Sequence, residues 1–226
     1  MSANLRWGQA DPAALVAQIR RLEIDAIGLQ ELGHEQAEAI SEELPYGVMT
    51  PADGAAGTGI ALRRPAKIDV VPMAFRPLHT ALLEPAEWDG IDAPVEFAST
   101  HFAAPHVKPY GSGAWHRRCQ LRDIERYLLS TPRDRRVLVG DFNATPWWPA
   151  YRRIASQLTD AAVEVAQVRG RPLERTWGPW PGSVRLLRID HAFVRGLRPC
   201  EFEVVGIDGS DHDAIVIEFS FGDGPD

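Results

Sequence analysis

Apolar residues recur along the chain with two spacings, one typical of helices and one typical of strands. Asp11 and Pro12 are a favourable N-cap and first helical residue, and Leu15, Ile19 and Leu22 follow at helical intervals. This pattern predicts a helix near the N-terminus that leads into a strand over residues 24–30.

The clearest helical pattern covers residues 114–130. Leu121, Ile124 and Leu128 recur on one face, which predicts that this face is buried. The charged residues of the segment are predicted to lie largely on the outer, solvated face, and they are Arg117, Arg118, Arg122, Glu125 and Arg126.

Short apolar or alternating runs elsewhere predict strands. They cover residues 59–62, 68–73, 80–84, 95–100, 137–139, 187–194, 201–207 and 213–221. Two further helices are predicted over 34–44 and 150–158, and a loop rich in Gly, Pro and Trp over 170–183. The order predicts an α/β (α+β) fold in which mainly antiparallel sheets pack on each other with helices outside, as a single domain spanning residues 1–226.

Composition changes this picture little. The chain has 226 residues, of which 45% are hydrophobic and 24% charged, as in an ordinary soluble domain. Its formal charge of −7 argues against binding nucleic acid by bulk electrostatics, but binding through a local basic groove is kept as an alternative.

Polar residues appear repeatedly where an apolar strand begins or ends. The set is Glu31, His101, Asp141, Asn143, Asp190, His191, Asp211 and His212. A single carboxylate in such a place is usually a turn or helix cap. The whole set, placed this way, favours one shared site.

Crowded carboxylates repel one another and raise one another's pKa unless a cation neutralises them. Oxygen ligands without a cysteine cluster favour a hard ion, Mg²⁺ or Mn²⁺, which typically keeps several waters and binds phosphate. The sequence therefore predicts a divalent-metal site.

Six motifs carry a resemblance to a known family. SANLRWG, IGLQEL, STHFAAP, VGDFNATP, RIDHAF and GSDHDAIVIEF resemble, in this order, those of the endonuclease/exonuclease/phosphatase superfamily, which has the deoxyribonuclease I-like fold. The resemblance runs from Asn4 to Phe219 and implies a four-layer α/β/β/α sandwich with its site at one end of two packed sheets.

The resemblance also implies roles for residues. Glu31 is matched to the principal metal ligand, with Asn4 beside it and Asp211 reaching the same cluster. It implies Mg²⁺ or Mn²⁺ as cofactor.

Five further positions match catalytic residues of the family. His212 would contact the phosphate or take a proton from the attacking water, and Asp190 would orient it. Asp141 would align or activate that water, and Asn143 would donate a hydrogen bond to a phosphoryl oxygen. His101 resembles the second histidine that deoxyribonucleases and sphingomyelinases place across the phosphate.

Two basic residues are candidates for binding substrate. Arg6, in the Asn-x-Arg opening, resembles the deoxyribonuclease branch, and Lys108 follows His101 on a loop that could reach a phosphate. The other basic residues are interpreted as a solvated helix face.

The GDFNATPWWPAY and RTWGPWPG segments resemble a bacterial subset of the superfamily whose substrates are mostly unassigned, often in domains attached to membrane-spanning segments. Trp147, Trp148, Trp177 and Trp180 are predicted either to line the pocket and contact a base, lipid or sugar, or to plug the end of the sandwich. Thr176 is expected to hydrogen-bond near the phosphate.

The start of the chain departs from the family pattern, because only three residues precede Asn4 where a full strand is normal. We expect either a shortened first strand or a longer gene product. No run approaches the roughly 18 apolar residues of a membrane span, so a soluble, by default cytoplasmic, protein is expected, or an extracytoplasmic one if an anchor precedes this chain.

Three functions stay open from the sequence. The first is a metal-dependent phosphodiesterase or phosphatase that uses in-line attack of water on a small or lipid-linked phosphate ester. The second is a DNA or RNA endonuclease of the deoxyribonuclease type, and the third is a non-catalytic metal- or phosphate-binding module. No obligate protein partner is indicated, and a monomer is expected.

Overall fold

The computed structural model describes residues 1–105 and 112–220. The strands are β1 Ser2–Asn4, β2 Ala26–Gln30, β3 Tyr46–Thr50, β4 Thr58–Leu62, β5 Lys67–Val71, β6 Leu78–Leu83, β7 Val95–His101, β8 Arg136–Asp141, β9 Thr159–Asp160, β10 Asp190–Arg195, β11 Arg198–Gly206 and β12 Asp213–Ser220. The α-helices are α1 Pro12–Arg21, α2 His34–Glu43, α3 Ser112–Ser130, α4 Pro149–Ala155 and α5 Ala161–Arg169.

The strands form two six-stranded sheets. One sheet has the order β11-β12-β1-β2-β4-β3 and the other β5-β6-β7-β8-β10-β9. Each sheet contains one parallel pair, β1–β2 and β7–β8, among antiparallel neighbours. Separate apolar clusters pack α1 and α2 on the first sheet, α3 and α4 on the second, and the two sheets on each other. This is the four-layer α/β/β/α sandwich, which confirms the predicted fold class.

The two sheets approach closely near the C-terminal end of β2. A Cβ added at Gly28 of β2 would lie 2.5 Å from the hydroxyl oxygen of Ser99 on β7, so a larger residue would push the sheets apart. Two residues further along β2, the Gln30 side-chain amide donates to the same Ser99 oxygen at 3.1 Å. Packing and a buried hydrogen bond therefore set the position of one sheet relative to the other.

Helix α1 forms as predicted. The Asp11 carboxylate accepts a hydrogen bond from the Ala14 amide at 2.8 Å, Pro12 occupies the first turn, and Leu15 and Ile19 are buried. The prediction for α3 was wrong at one position: Arg117 is buried, and its guanidinium donates to the carbonyls of Ala103 and Phe142.

Three elements were not predicted, namely β3, the two-residue strand β9 and α5. Strand β3 is an edge strand whose residues are half-buried or exposed, so it lacks the apolar run that marks a core strand. Helix α5 has apolar residues around most of its circumference, so its sequence shows no helical stripe. Its signals were Asp160, which caps its first turn through the amides of Ala162 and Val163, and Gly170, which ends it with a φ of 63°.

Across residues 1–105 and 112–220, no helix has both the length and the apolar character needed to cross a membrane.

Candidate functional site

Strand direction explains why polar residues far apart in sequence meet. In the first sheet β1 and β2 are parallel, with Asn4 beside Gln30, and β12 runs antiparallel to β1. In the second sheet β7 and β8 are parallel, with His101 beside Asp141, and Asp190 at the start of β10 also pairs with Asp141. The strand ends that carry these residues therefore lie at one end of the sandwich.

A cavity of about 830 Å³ opens at this end. The predicted site residues that line it are Arg6, Glu31, His101, Asp141, Asn143, Trp177, Asp211 and His212. Asn4, Thr176 and Asp190 are buried behind its wall.

Asn4 joins the two sheets. Its side-chain amide donates to Asp141 at 3.0 Å and, more weakly, to Glu31 at 3.4 Å. The Asn4 side-chain oxygen Oδ1 accepts a hydrogen bond from the Arg6 backbone amide at 3.0 Å. The carboxylates of Glu31 and Asp141, which come from different sheets, are thus held against one amide.

Backbone strain is concentrated here. Among the described residues, five non-glycine residues have positive φ, and four of them lie at this end: Arg6 (44°), Trp7 (56°), Glu31 (53°) and Asn143 (46°). The Trp7 amide donates to the Glu31 carboxylate at 2.9 Å, which fixes that side chain at the cavity wall. Such strain is typical of functional sites, where surrounding contacts hold residues in unfavourable conformations.

His212 forms a pair with Asp190 across the two sheets. Its Nδ1 lies 2.9 Å and 3.2 Å from the two Asp190 oxygens. Burial lowers the pKa of His212, but the Asp190 carboxylate opposes it and raises the pKa to about 10. The Thr176 hydroxyl donates to Asp190 at 2.6 Å. The pair therefore keeps a proton on Nδ1 and leaves Nε2 facing the cavity.

Asp141 accepts several hydrogen bonds that fix its orientation. Besides Asn4, it accepts the Asn143 backbone amide at 2.7 Å and the Asn143 side-chain amide at 2.9 Å. Burial, followed by repulsion from Asp190, raises the pKa of Asp141 to about 7. The Asn143 side-chain nitrogen also donates to the Phe102 carbonyl at 3.1 Å, so both of its N–H groups are engaged within the protein.

His101 faces the same carboxylates from β7. Its Nε2 lies 3.6 Å from Asp141 and 3.8 Å from Glu31. Burial lowers the pKa of His101 well below the ordinary value, so the ring is neutral. The Gln120 side chain holds the adjoining backbone by donating to the His101 carbonyl. Close pairing of β7 and β8 requires Gly140, where a Cβ would lie 1.9 Å from the Thr100 oxygen.

Asp211 also lines the cavity. The Trp177 indole N–H donates to it at 3.3 Å, and the Arg6 guanidinium lies 3.7 Å from it. Trp177 therefore serves as a wall and as a hydrogen-bond donor to the acidic residue before His212.

The predicted substrate residues are distributed unevenly. Trp148, rather than Trp147, lines the cavity, and Trp147 is 87% exposed outside it. Trp180 is also exposed. Thr176 is fully buried against Asp190 and not at the cavity surface, while Lys108 lies outside the described residues.

Arg76 and Trp7 are among the residues of the cavity wall that sequence reasoning missed. Arg76, in the connection between β5 and β6, and Trp7, beside Glu31, both line it. Trp7 lies within the SANLRWG motif and could have been found there. Arg76 has no motif around it, and only the folded connection brings it to the site.

The residues fit a divalent cation. Burial raises the pKa of Glu31 as well as that of Asp141, so a positive charge between the two sheets would stabilise both ionised carboxylates. Asp141, Asp190 and His212 offer three atoms within 4.8 Å of one another. The Asp190 oxygens are already bonded to His212 and Thr176. Glu31, which faces the cavity, is therefore the better ligand.

Comparisons with known proteins agree on the fold. Residues 1–212 match the Endonuclease/Exonuclease/phosphatase family profile. Among curated proteins, no sequence matches the chain.

Solved structures of similar fold include an endonuclease/exonuclease/phosphatase family protein from Bacteroides thetaiotaomicron, with a TM-score of 0.72, 20% identity and coverage of 98% of this chain and 96% of that one. A mannosyl-6-phosphatase from the same organism has a TM-score of 0.74 and 18% identity, and the match covers 97% of this chain and 98% of that one. D. rerio TDP2 complexed with a single-strand DNA product has a TM-score of 0.71 and 18% identity, and the match covers 92% of this chain and 91% of that one.

Proposed function

The chain belongs to the endonuclease/exonuclease/phosphatase family and is a phosphoric ester hydrolase, and we propose that it hydrolyses small or lipid-linked phosphate esters with Mg²⁺ or Mn²⁺. The observation that carries this proposal is one cavity lined both by Glu31 and Asp141, bridged by Asn4, and by His212, paired with Asp190.

Phosphate esters resist attack because their negative charge repels the nucleophile. Glu31, with Asn4 and Asp211 nearby, would hold the divalent ion, which when bound neutralises charge on the phosphate. Mg²⁺ and Mn²⁺ both suit an oxygen-rich site of this kind.

The protein's own groups would orient the reactants. Asp141, whose orientation is fixed by hydrogen bonds from Asn4 and Asn143, would accept a proton from the attacking water. The Asp190–His212 pair is suited to donate Nε2–H to a phosphate oxygen, because the carboxylate stabilises the imidazolium. Asn143 acts in this scheme mainly by holding Asp141.

The cavity walls support a compact substrate. Trp7, Trp148 and Trp177 border the site, and their faces suit an aromatic, sugar or lipid group attached to the phosphate. The formal charge of −7 does not favour a long polyanion.

A substrate panel with the purified protein tests this proposal. It would cover DNA, RNA, phospholipids, inositol phosphates, sugar phosphates and prenyl pyrophosphates, each with Mg²⁺ or Mn²⁺, and His212→Ala as the control. We expect turnover of at least one small or lipid-linked ester that His212→Ala abolishes. Metal-dependent stabilisation without turnover of any ester would instead identify a binding module.

A nuclease is the second candidate. It is favoured by Arg6 at the cavity wall and by the similar fold of D. rerio TDP2 complexed with single-strand DNA product. Cleavage of plasmid DNA at a rate that matches hydrolysis of bis-p-nitrophenyl phosphate would favour this candidate over the first.

Glu31→Gln tests the metal site. We expect the concentration of Mg²⁺ or Mn²⁺ needed for half-maximal activity to rise by roughly 10- to 100-fold, since even partners that only support ligands have effects of this size. Metal-dependent thermal stabilisation, measured without substrate, should weaken in parallel.

Glu23→Gln is a matched control, because Glu23 also has positive φ (49°) but is exposed after α1, away from the cavity. It should leave metal dependence unchanged. Unaltered metal dependence in Glu31→Gln would remove Glu31 from the ligands.

A further inference from the structure

Arg76 brings a positive charge to the cavity from a part of the chain that carries none of the family motifs. It lies between β5 and β6, and its side chain lines the cavity with Glu31, His101 and Asp141. The residue is half-buried, so the protein shields its charge partly from water.

The contacts of Arg76 hold its side chain without neutralising it. Nη2 donates to the carbonyl of Ala55, and the guanidinium carbon lies 4.2 Å from the centre of the Phe75 ring. Nε is buried and has no acceptor within residues 1–105 and 112–220, and in the same part of the chain Arg76 forms no ion pair. The positive charge of Arg76 is therefore not neutralised by an acid of the described residues.

Other arginines near the site are each paired with a carboxylate or held by backbone carbonyls. Arg6 lies beside Asp211, and the buried Arg117 donates to two backbone carbonyls and stacks on Trp148. Arg185 pairs with Asp213 at 2.6 Å. Arg76 is therefore the arginine at the cavity whose charge is best available to a ligand.

Arg76 is electrostatically coupled to Glu31, the proposed metal ligand, and to Asp141, the proposed base. Burial lowers the pKa of Arg76, and the attraction of Glu31 and Asp141 opposes that change. These two carboxylates mark where the substrate phosphate must bind if the proposed function is correct. Arg76 thus lines the same cavity as these two carboxylates and is electrostatically coupled to both.

We propose that Arg76 binds the non-bridging oxygens of the substrate phosphate and makes the enzyme selective for terminal phosphate monoesters over diesters; this inference rests on the proposed function. A terminal phosphate carries a charge of about −1.5 to −2 at neutral pH and three non-bridging oxygens. A diester has a single charge and two such oxygens. Arginine engages adjacent phosphate oxygens through paired N–H donors, so its loss costs the monoester more.

The fixed geometry strengthens this role. The Phe75 ring and the Ala55 carbonyl hold the side chain before a ligand arrives, so less conformational entropy is lost on binding.

Arg76→Gln, with Arg76→Lys beside it, tests the inference in two ways. The first is the ratio of kcat/KM for p-nitrophenyl phosphate to that for bis-p-nitrophenyl phosphate. The second is calorimetric titration with inorganic phosphate and with dimethyl phosphate in the presence of Mg²⁺. In Arg76→Gln we expect kcat/KM for the monoester, and affinity for inorganic phosphate, to fall by roughly 10- to 100-fold, as for loss of a charged hydrogen bond.

In Arg76→Gln, kcat/KM for the diester and affinity for dimethyl phosphate should change much less. Arg76→Lys, which keeps the charge but loses the planar donors, should show losses for the monoester and for inorganic phosphate that lie between those of the wild type and Arg76→Gln. Arg64→Gln is the matched control, since Arg64 is exposed and pairs with Asp89 outside the cavity, and it should behave as the wild type.

Equal losses for monoester and diester would overturn the selectivity, and unchanged phosphate affinity in Arg76→Gln would overturn the binding role. A wild type that hydrolyses neither ester would count against the proposed function, whereas the two titrations would still decide the role of Arg76.

Discussion

Asp190→Asn should lower kcat by about 10⁴-fold while leaving the fold intact, as removal of the carboxylate behind a catalytic histidine does elsewhere. Asp190 is buried, and both of its oxygens lie within 3.2 Å of His212 Nδ1. An amide there cannot stabilise the imidazolium, and it can hold the ring in the wrong tautomer. The measurement is single-turnover kinetics on the best ester of the substrate panel.

The pKa of His212 gives an independent readout. In the wild type Asp190 raises it to about 10, so NMR titration should show a protonated ring through neutral pH. In Asp190→Asn the pKa should fall, because burial then acts without the opposing carboxylate.

Two comparisons separate this role from a structural one. Thr176→Val removes the hydroxyl that donates to Asp190 but leaves the pair with His212, so its effect on kcat should be much smaller. The double variant Asp190→Asn/His212→Ala should be no slower than His212→Ala alone, because the two groups act as a unit. Additive losses in the double variant would show that they act separately.

Asn143→Ala should lower kcat by roughly 10²-fold, the usual cost of displacing a reacting group by about 1 Å. In the structure the Asn143 side chain holds Asp141 and is itself held by the Phe102 carbonyl. Removing it frees the Asp141 carboxylate and leaves the Phe102 carbonyl without its donor. The loss should therefore appear in kcat, and KM should change little.

Backbone strain needs its own control at this position, since Asn143 has a φ of 46°, which alanine tolerates poorly. Asn143→Gly accepts that conformation and also lacks the amide. Equal losses in both variants would assign the effect to the side chain. Recovery of near wild-type activity in Asn143→Gly would show that Asn143 serves as a turn residue.

The sequence predicted those parts of the protein that depend on patterns of neighbouring residues in the chain. The strands that end in Asp141 and His101 and the cap at Asp11 follow from short-range apolar spacing and capping chemistry. The structure adds that Gly140 permits the close pairing of β7 and β8, because a Cβ there would collide with the Thr100 oxygen.

Prediction from local patterns failed where the burial or exposure of a residue depends on residues far away in the sequence. Arg117 occupies a position that periodicity placed near the solvated face, yet the loop ends at Ala103 and Phe142 supply acceptors that draw it inward. The adjacent Trp147 and Trp148 are indistinguishable by type, and packing against Arg117 directs only Trp148 to the cavity wall.

The sequence by itself determined which chemical groups the protein carries, namely the acids, histidines and amide of its motifs, and the family to which it belongs. The tertiary structure decided how they are used. It engages both N–H groups of Asn143 within the protein, turns Thr176 toward Asp190, and adds Arg76 to the cavity. The physical reason is that hydrogen-bond partners and burial are set by contacts between residues far apart in the chain, which local sequence patterns do not encode.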